Sequence, residues 1–310
     1  MRAVDLFAGW GGFTEGATAA GARVVAAANH WRLAVDAHAA NHPGVEHVCQ
    51  DLRQADWSAL PAHDLLLASP ACQGHSEAGQ PARSSDGRVR ARHDGMRATA
   101  WAVVDCVEVC RPAAFIIENV VPFSRWELFG LWLEALRRLG YSVEPQVLLA
   151  SRLGVPQRRH RLFIIGLRGE GRRVPRVEHE RAERAFGPEV QWGAGRWRHW
   201  SKATAGARCR FAAARSRHGT RALSQHVTGH RGVGLHEPIR TITTKDQWVV
   251  LDGDHYRPLT IREVARGMGF PDRYRWPSTA SRTDTIRGLG NAVPPPMAAA
   301  AVKATIGAVS

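Results

Sequence analysis

The apolar positions of this chain fall into short unbroken runs. Arg2–Phe7, Arg23–Ala28, Val45–Cys49, Asp64–Ala68, Ala113–Ile117, Val143–Leu149 and Arg161–Leu167 each have strand length and little polar alternation. Strands covered on both faces carry that pattern, because neither side meets water. Helical spacing fills the gaps. An Ala-rich stretch runs to about Ala20, another runs through Ala40, and Met96–Cys110 stops before Arg111-Pro112. Leu128–Leu139 is amphipathic and closed by Gly140, the residue that most readily ends a helix in a left-handed turn. Strands alternating with helices predict an α/β fold with a doubly wound, mostly parallel sheet.

Periodicity fades from Gly169. Up to about Thr228 the chain is rich in Arg, Gly and His, with tryptophans at 192, 197 and 200 that read as a small core. Order returns at Pro238–Thr244, in a helical stretch over Thr260–Met268, and in an Ala-rich helix after Gly290-Asn291-Ala292-Val293-Pro294. The expected division is a first domain over 1–168, a smaller one over 169–255, and a return to the first over 256–310.

Charge adds a partner. The 310 residues carry 42 Lys and Arg against 28 Asp and Glu, a formal net charge of +14. A GC-rich codon bias accounts for part of the arginine excess, but the basic residues cluster at 83–97, 152–184 and 196–221. Clustering points to a polyanion. No apolar run approaches the roughly 20 residues of a membrane span, and the first residues lack signal-peptide architecture. A cytoplasmic, monomeric protein without a membrane partner is the expectation. Five scattered cysteines suit reduced thiols. Cys106 and Cys110 have no second pair at zinc spacing and read as packing residues, so no metal is expected.

Chemistry concentrates at Ser69-Pro70-Ala71-Cys72-Gln73-Gly74-His75-Ser76. The strand before it ends at a Ser-Pro break, and one cysteine follows just past its carboxyl end, where open α/β sheets bind ligands. Residues 73–92 then lose all periodicity, as functional loops do. Near the N-terminus, Phe7-Ala8-Gly9-Trp10-Gly11-Gly12 joins a strand to a helix through a glycine turn whose amides can approach a nucleotide-like ligand.

Taken in order, these segments resemble the DNA cytosine C5-methyltransferases. The turn at 7–12 is similar to their S-adenosylmethionine motif. Pro70-Ala71-Cys72-Gln73 stands where the family has Pro-Pro-Cys-Gln, and Glu118-Asn119-Val120 matches Glu-Asn-Val. Gln157-x-Arg159-x-Arg161 matches Gln-x-Arg-x-Arg, while Arg262-Glu263-x-Ala265-Arg266 and Gly290–Pro294 resemble the ninth and tenth motifs. The ordered set spans the chain except for roughly 169–240.

The resemblance implies a transfer of methyl from S-adenosylmethionine to carbon 5 of cytosine in double-stranded DNA. Cys72 would add to carbon 6 of a flipped-out base, and Glu118 would hold a proton against ring N3. Arg161 would bind O2, and Arg159 would fix nearby groups as a donor. Phe7, Ala8, Gly9, Gly11 and Gly12 would hold the cofactor's methionine part, with Pro70 beside it. Asp51 and Leu52 would meet the adenine, His30 would cover its face, and Asn291 and Val293 would close the pocket. Asn29 stands where the family commonly has a ribose-binding Glu. The middle domain would recognise the target sequence, and paired restriction–modification systems use such enzymes. Three alternatives compete: the tRNA-methylating branch of the family, a catalytically silent DNA-binding relative, and a nicotinamide-dependent dehydrogenase. The last lacks its GxGxxG.

Overall fold

A computed structural model describes residues 1–71, 99–179 and 182–309. The chain forms two compact units. One comprises Met1–Leu148, His160–His179 and Met297–Ser310, and the other Leu149–Arg159 and Glu180–Pro296.

The first unit is built on seven strands: β1 Arg2–Leu6, β2 Arg23–Asn29, β3 Glu46–Cys49, β4 Leu65–Ala68, β5 Ala114–Asn119, β6 Tyr141–Leu149 and β7 His160–Arg168. Their order is β3-β2-β1-β4-β5-β7-β6. The first five are parallel, and β7 runs antiparallel to β5. All of β4 and β5 is buried, which is why their sequences are apolar without alternation. Helices α1 Gly12–Ala19, α2 Arg32–Asn41, α3 Thr99–Cys110 and α4 Phe129–Arg138 connect these strands.

Register aligns the strand ends. Leu6 lies opposite Ala28 and Ala68, Ala68 opposite Ile117, and Asn29 opposite Cys49. The residues that follow β1, β2, β3 and β4 therefore emerge along one edge, at the point where strand order reverses around β1. Strand β5 continues two residues past the expected Ile117, so Glu118 and Asn119 belong to the strand. Residues 96–98 of the expected helix lie outside the described residues.

The second unit contradicts the expectation of little regular structure. Strands β8 Arg198–His199, β9 Arg221–Gln225, β10 Trp248–Asp252 and β11 His255–Pro258 form an antiparallel sheet in the order β9-β10-β11-β8. Helix α5, Ala205–His218, follows Thr204, whose hydroxyl caps Ala207 N–H. It buries only Ala207, Phe211 and Ala214, a stripe too thin to stand out among so many arginines. Helices α6 Ile261–Gly267 and α7 Arg282–Asn291 complete this unit, and α8 spans Pro295–Val309.

The tryptophans divide between two roles. Trp200 packs on the apolar cluster around Phe211, as expected. Trp192 and Trp197 instead stack 6° from parallel at 6.5 Å, with Arg221 4.5 Å from the first ring and Arg257 5.0 Å from the second. This file of cation, ring, ring, cation is balanced at its ends by Asp252 and by the fully buried Glu263. Cation–π contacts of this kind contribute about 0.5–2 kcal/mol each.

The units also divide the chain differently from the 1–168, 169–255, 256–310 expectation. Residues 149–159 and 256–296 go with the second unit. Hydrogen bonds explain this: Gln157 Nε2 donates to Gly267 O at 2.7 Å, and its Oε1 accepts from Ile242 N–H at 3.0 Å. Among the described residues, Arg282–Val309 alone has the length and hydropathy of a membrane span, and half of that window is buried, as befits a core helix.

The pairing of Phe115 with Gly166 generates a prediction. A Cβ on Gly166 would come within 2.1–2.5 Å of the Phe115 ring, and that fully buried ring is wedged against Tyr141 at 5.2 Å. Gly166→Ala should cost about 1–3 kcal/mol through overpacking. Gly130→Ala, in α4 with nothing within 4 Å of its Cβ, should gain up to about 1 kcal/mol. Denaturant titrations giving both variants the same midpoint would contradict this packing.

Candidate active site

Strand β1 ends in a strained turn. Phe7 takes φ +59°, which a side chain adopts only at a cost, and Gly9 and Gly11 follow at +53° and +80°. Ala8 N–H donates to Ala28 O at 3.1 Å, and Gly11 N–H closes back on Ala8 O at 2.8 Å. Helix α1 starts at once from Gly11, which provides no side-chain cap. A helix N-terminus without a cap keeps its dipole and amides available to a ligand. Phe7, Ala8, Gly9, Gly11 and Gly12 are thus brought together as the sequence implied. Below the turn, Asp5 is fully buried. Its Oδ2 accepts Thr14 N–H at 3.1 Å and Thr14 Oγ1–H at 2.8 Å, and burial pushes its carboxyl up to about 7.

The next strand end is shaped by Asn29. That residue is buried, and its Oδ1 accepts Trp31 N–H at 2.9 Å to shape the chain's exit from β2. The oxygen is therefore engaged by the backbone. His30 is the exposed side chain here, and Trp31 lies with its ring centroid 5.3 Å from that of buried Trp10. Sequence reasoning passed over both tryptophans; a Trp inside a glycine turn was the available signal. After β3, Asp51 caps a short 3-10 turn by accepting Arg53 N–H. The Arg53 guanidinium holds its carboxyl down at about 2, with His30 adding to the effect. Leu52 is buried beside a pocket of about 140 Å³, lined by Ala28, Val48, Trp57 and Leu60 among others.

Along the same edge, Asn119 Nδ2 donates to Pro70 O at 3.2 Å while its Oδ1 accepts Val120 N–H at 2.8 Å. Ala71 N–H reaches Thr99 Oγ1 at 3.1 Å. Together they fix the chain immediately before Cys72, which lies outside the described residues with the loop that follows it. Beside Asn119, Glu118 is buried and meets Arg161 Nε at 3.1 Å through Oε1. The antiparallel register of β5 and β7 sets Arg161 next to it, since Asn119 faces Leu162. A buried carboxylate is tolerable because a guanidinium accompanies it.

Arg159 is not part of that pair. It belongs to the second unit, almost wholly buried, where Nη1 donates to Ile242 O at 2.9 Å and Nη2 to Gly290 O and Ala292 O at 2.8 and 3.2 Å. It is a positioning residue for the turn that carries Asn291 and Val293. Gly290 is required there, because a Cβ would fall 2.3 Å from the Thr243 carbonyl group. Of the arginines on 196–221, several are internally engaged. Arg221 pairs with Asp252 at 3.1 Å, Arg215 with Asp254, Arg210 with His226 at 3.1 Å, and Arg208 with Ala203 O at 2.7 Å. Arg196, Arg198 and Arg217 are exposed. Among the described residues no group of three potential ligands could hold a metal.

A family model described as C-5 cytosine-specific DNA methylase matches residues 1–189 and 198–307. The type II methylase M.HgiEI of Herpetosiphon aurantiacus is 37% identical over 174 residues, which cover 54% of this chain and 37% of that protein. The type II methyltransferase M.NlaX of Neisseria lactamica is 33% identical over 172 residues, 54% of this chain and 52% of its own. The chain thus matches between about a third and a half of the length of these relatives. In fold it is similar to the S. pombe Dnmt2 methyltransferase, with a TM-score of 0.71 at 17% identity, covering 99% of this chain and 98% of that one.

Two measurements test the site's geometry. Arg159→Lys should destabilise the protein by about 2 kcal/mol or more, because one ammonium cannot serve three carbonyls from a fixed fork. A wild-type denaturation midpoint would mean those carbonyls find other donors. Asp5, protonated in the fold at pH values where the unfolded chain has lost the proton, contributes stability below about pH 4 that is lost as pH rises through about 7. Asp5→Asn should flatten the stability–pH profile over that window, and an unchanged slope would assign it to other groups.

Proposed function

The chain belongs to the C-5 cytosine-specific DNA methylase family, and from that membership we propose that it methylates carbon 5 of cytosine within a specific duplex DNA sequence. The observation that carries the reading is the shared sheet edge. The strained turn after β1, the tether of Pro70 before Cys72 and the Glu118–Arg161 pair all emerge there.

The residues of the first unit fit S-adenosylmethionine. An uncapped α1 N-terminus and the turn at 7–12 suit its amino-acid part. The pocket beside Leu52 offers apolar side chains for a flat ring, with Glu46, Gln50 and Asp56 as polar lining, and Trp31 and His30 can cover such a ring from the strand end. Asn29 contributes by shaping that exit, with Nδ2 left for a ribose hydroxyl. In the second unit, Arg159 holds the turn that carries Asn291 and Val293. The cofactor supplies an electrophilic methyl group on sulfonium sulfur.

Cytosine carbon 5 is too weak a nucleophile to take that methyl unaided. Cys72 thiolate adds to carbon 6, and the ring electrons move toward carbon 5. Charge building at N3 must be met by a proton, which Glu118 is set to share. Arg161 orients the carboxyl and can donate to O2 in the same plane. Once carbon 5 carries the methyl, its proton passes to solvent, the N3 proton returns to Glu118, and the thiolate leaves carbon 6. The target base has to leave the helix to reach the cysteine, at a cost of a few kcal/mol. Phosphate contacts from the exposed Arg196, Arg198 and Arg217 can offset it. A cytoplasmic monomer completes the proposal; the four described cysteines are free thiols, as a reducing compartment maintains.

Bisulfite sequencing of DNA from cells expressing the protein tests the reading, since it reports base and sequence context together. Cys72→Ser should lose methylation entirely while still binding duplex, and Glu118→Gln should lower turnover at least about a hundredfold. Methyl transfer to tRNA with none to duplex DNA would establish the other branch of the family. Arg217→Ala should flatten the log–log salt dependence of DNA affinity by about 0.9, whereas Arg221→Ala, its charge already spent on Asp252 and Trp192, should leave that slope unchanged. Equal slopes for both would remove α5 from the interface.

A further inference from the structure

Four side chains form an unbroken hydrogen-bonded file through the first unit. Asp5 Oδ2 on β1 meets Thr14 Oγ1 on α1 at 2.8 Å; Thr14 Oγ1 meets His38 Nε2 on α2 at 3.0 Å; His38 Nδ1 meets His47 Nε2 on β3 at 2.8 Å. Asp5, Thr14 and His38 are at most 1% exposed, whereas His47 is only partly buried, on the edge strand. The file therefore starts under the glycine turn and ends near solvent. Asp5 Oδ1 is also buried, with no hydrogen-bond partner. None of the chemistry proposed above uses these groups, and a parallel strand at this position needs no carboxyl.

We propose that His38 is a positioning residue which, with Thr14 and His47, carries protons between Asp5 and solvent and thereby sets the charge beneath the turn at 7–12. The assignment of that turn to the cofactor rests on the function proposed above.

The geometry favours two states, because a proton on Asp5 Oδ1 would find no acceptor whereas one on Oδ2 can be donated to Thr14. Thr14 has one hydroxyl proton, and a neutral imidazole has one N–H, so every bond must point the same way. When Asp5 is ionised, Thr14 O–H donates to it, His38 Nε2–H donates to Thr14, and His47 Nε2–H donates to His38 Nδ1. When Asp5 carries a proton on Oδ2, each bond reverses, and His38 Nδ1–H donates to His47 Nε2. Passing from the second state to the first moves one proton along each link. Asp5 gives its proton to Thr14, Thr14 gives its own to His38 Nε2, and His38 gives its Nδ1 proton to His47, which releases one to water.

Burial supports this poise. It pushes Asp5 up to about 7, while Thr14 bonds pull the other way. Burial, then His42 and His47, hold His38 well below the ordinary imidazole range, so it relays without becoming charged. The titratable groups facing His38 are His42 on its own helix, ring centroids 4.7 Å apart, and His47 on β3 at 4.9 Å; Asp5 is reached through Thr14. His47 is also lowered by burial, which favours release of the proton. Thr14 links the file to the site, because its N–H in the first turn of α1 is held by the same Asp5 oxygen at 3.1 Å. Ionising Asp5 makes that bond charge-assisted and tightens the turn.

Nitrogen-15 NMR of the histidine rings in the full chain, without ligand, tests the relay. His38 should remain neutral and change from the Nδ1–H to the Nε2–H tautomer between pH 6 and pH 8.5, and Asp5→Asn should abolish the change. A His38 that keeps one tautomer throughout, or becomes imidazolium, overturns the proposal. Calorimetry with S-adenosylhomocysteine tests the positioning role. Wild type should bind at least about threefold more tightly at pH 8.5 than at pH 6, and His38→Gln and Asp5→Asn should bind alike at both. A tautomer change with the same pH dependence in all three proteins would overturn the coupling to the turn. A tautomer change with no binding at any pH would instead overturn the cofactor assignment, which is a separate failure.

Discussion

Everything at the candidate site depends on the parallel pairing of β1 with β2 on one side and β4 on the other. Parallel strands point their carboxyl ends the same way, so a single register decides what meets at the edge. Leu6 opposite Ala28 and Ala68 places Phe7, His30 and Ser69 one step beyond the sheet together. A slip of one residue would turn Asp5 and Leu6 to opposite faces and separate Asp5 from Thr14. Continuous apolar sequence in β4 and β5 makes such a slip costly only through its neighbours. The buried pairing of Phe115 with Gly166 singles out the register of β5 with β7, and the bond from Asn119 to Pro70 O ties β5 to the end of β4.

Two arginines two residues apart do different work. Arg161, the second residue of β7, neutralises Glu118; Arg159 lies in the second unit and ties together carbonyls of 242, 290 and 292. Both are guanidiniums in low-dielectric surroundings, where an unpaired charge would be prohibitive. Their partners decide their roles. A carboxylate beside Arg161 leaves a site with both a proton acceptor and donors, whereas carbonyls around Arg159 consume its donors in holding a turn. The same rule separates Arg217 from Arg221, whose charge is answered within its own module.

The strands and the glycine turn were legible in the sequence because each is specified locally, by apolar runs or by a motif of fixed spacing; Glu118 and Arg161 were each marked by a motif, but their pairing was not. What was not legible depends on partners distant in the chain. Helix α5 hides because three small or aromatic residues suffice to seat it. Trp192 and Trp197 read as core residues, but Arg221 and Arg257 arrive from other strands to sandwich them. Asn29 resembles a ligand residue by position, yet the backbone two residues on takes its oxygen. The unit boundaries follow Gln157 and Arg159, whose partners lie more than 80 residues away. Asp5 was passed over as one polar residue in an apolar strand, although such a residue always requires a partner.

The central claim is covalent attack by Cys72 on cytosine. Incubating the protein with S-adenosylmethionine and duplex DNA in which the target cytosine bears fluorine at carbon 5 blocks the final proton loss. Intact mass measured under denaturing conditions should show one protein–DNA adduct per target site, carrying the transferred methyl group and absent from Cys72→Ser. Methyl transfer to unmodified duplex by a protein that forms no adduct with the fluorinated one would contradict the account.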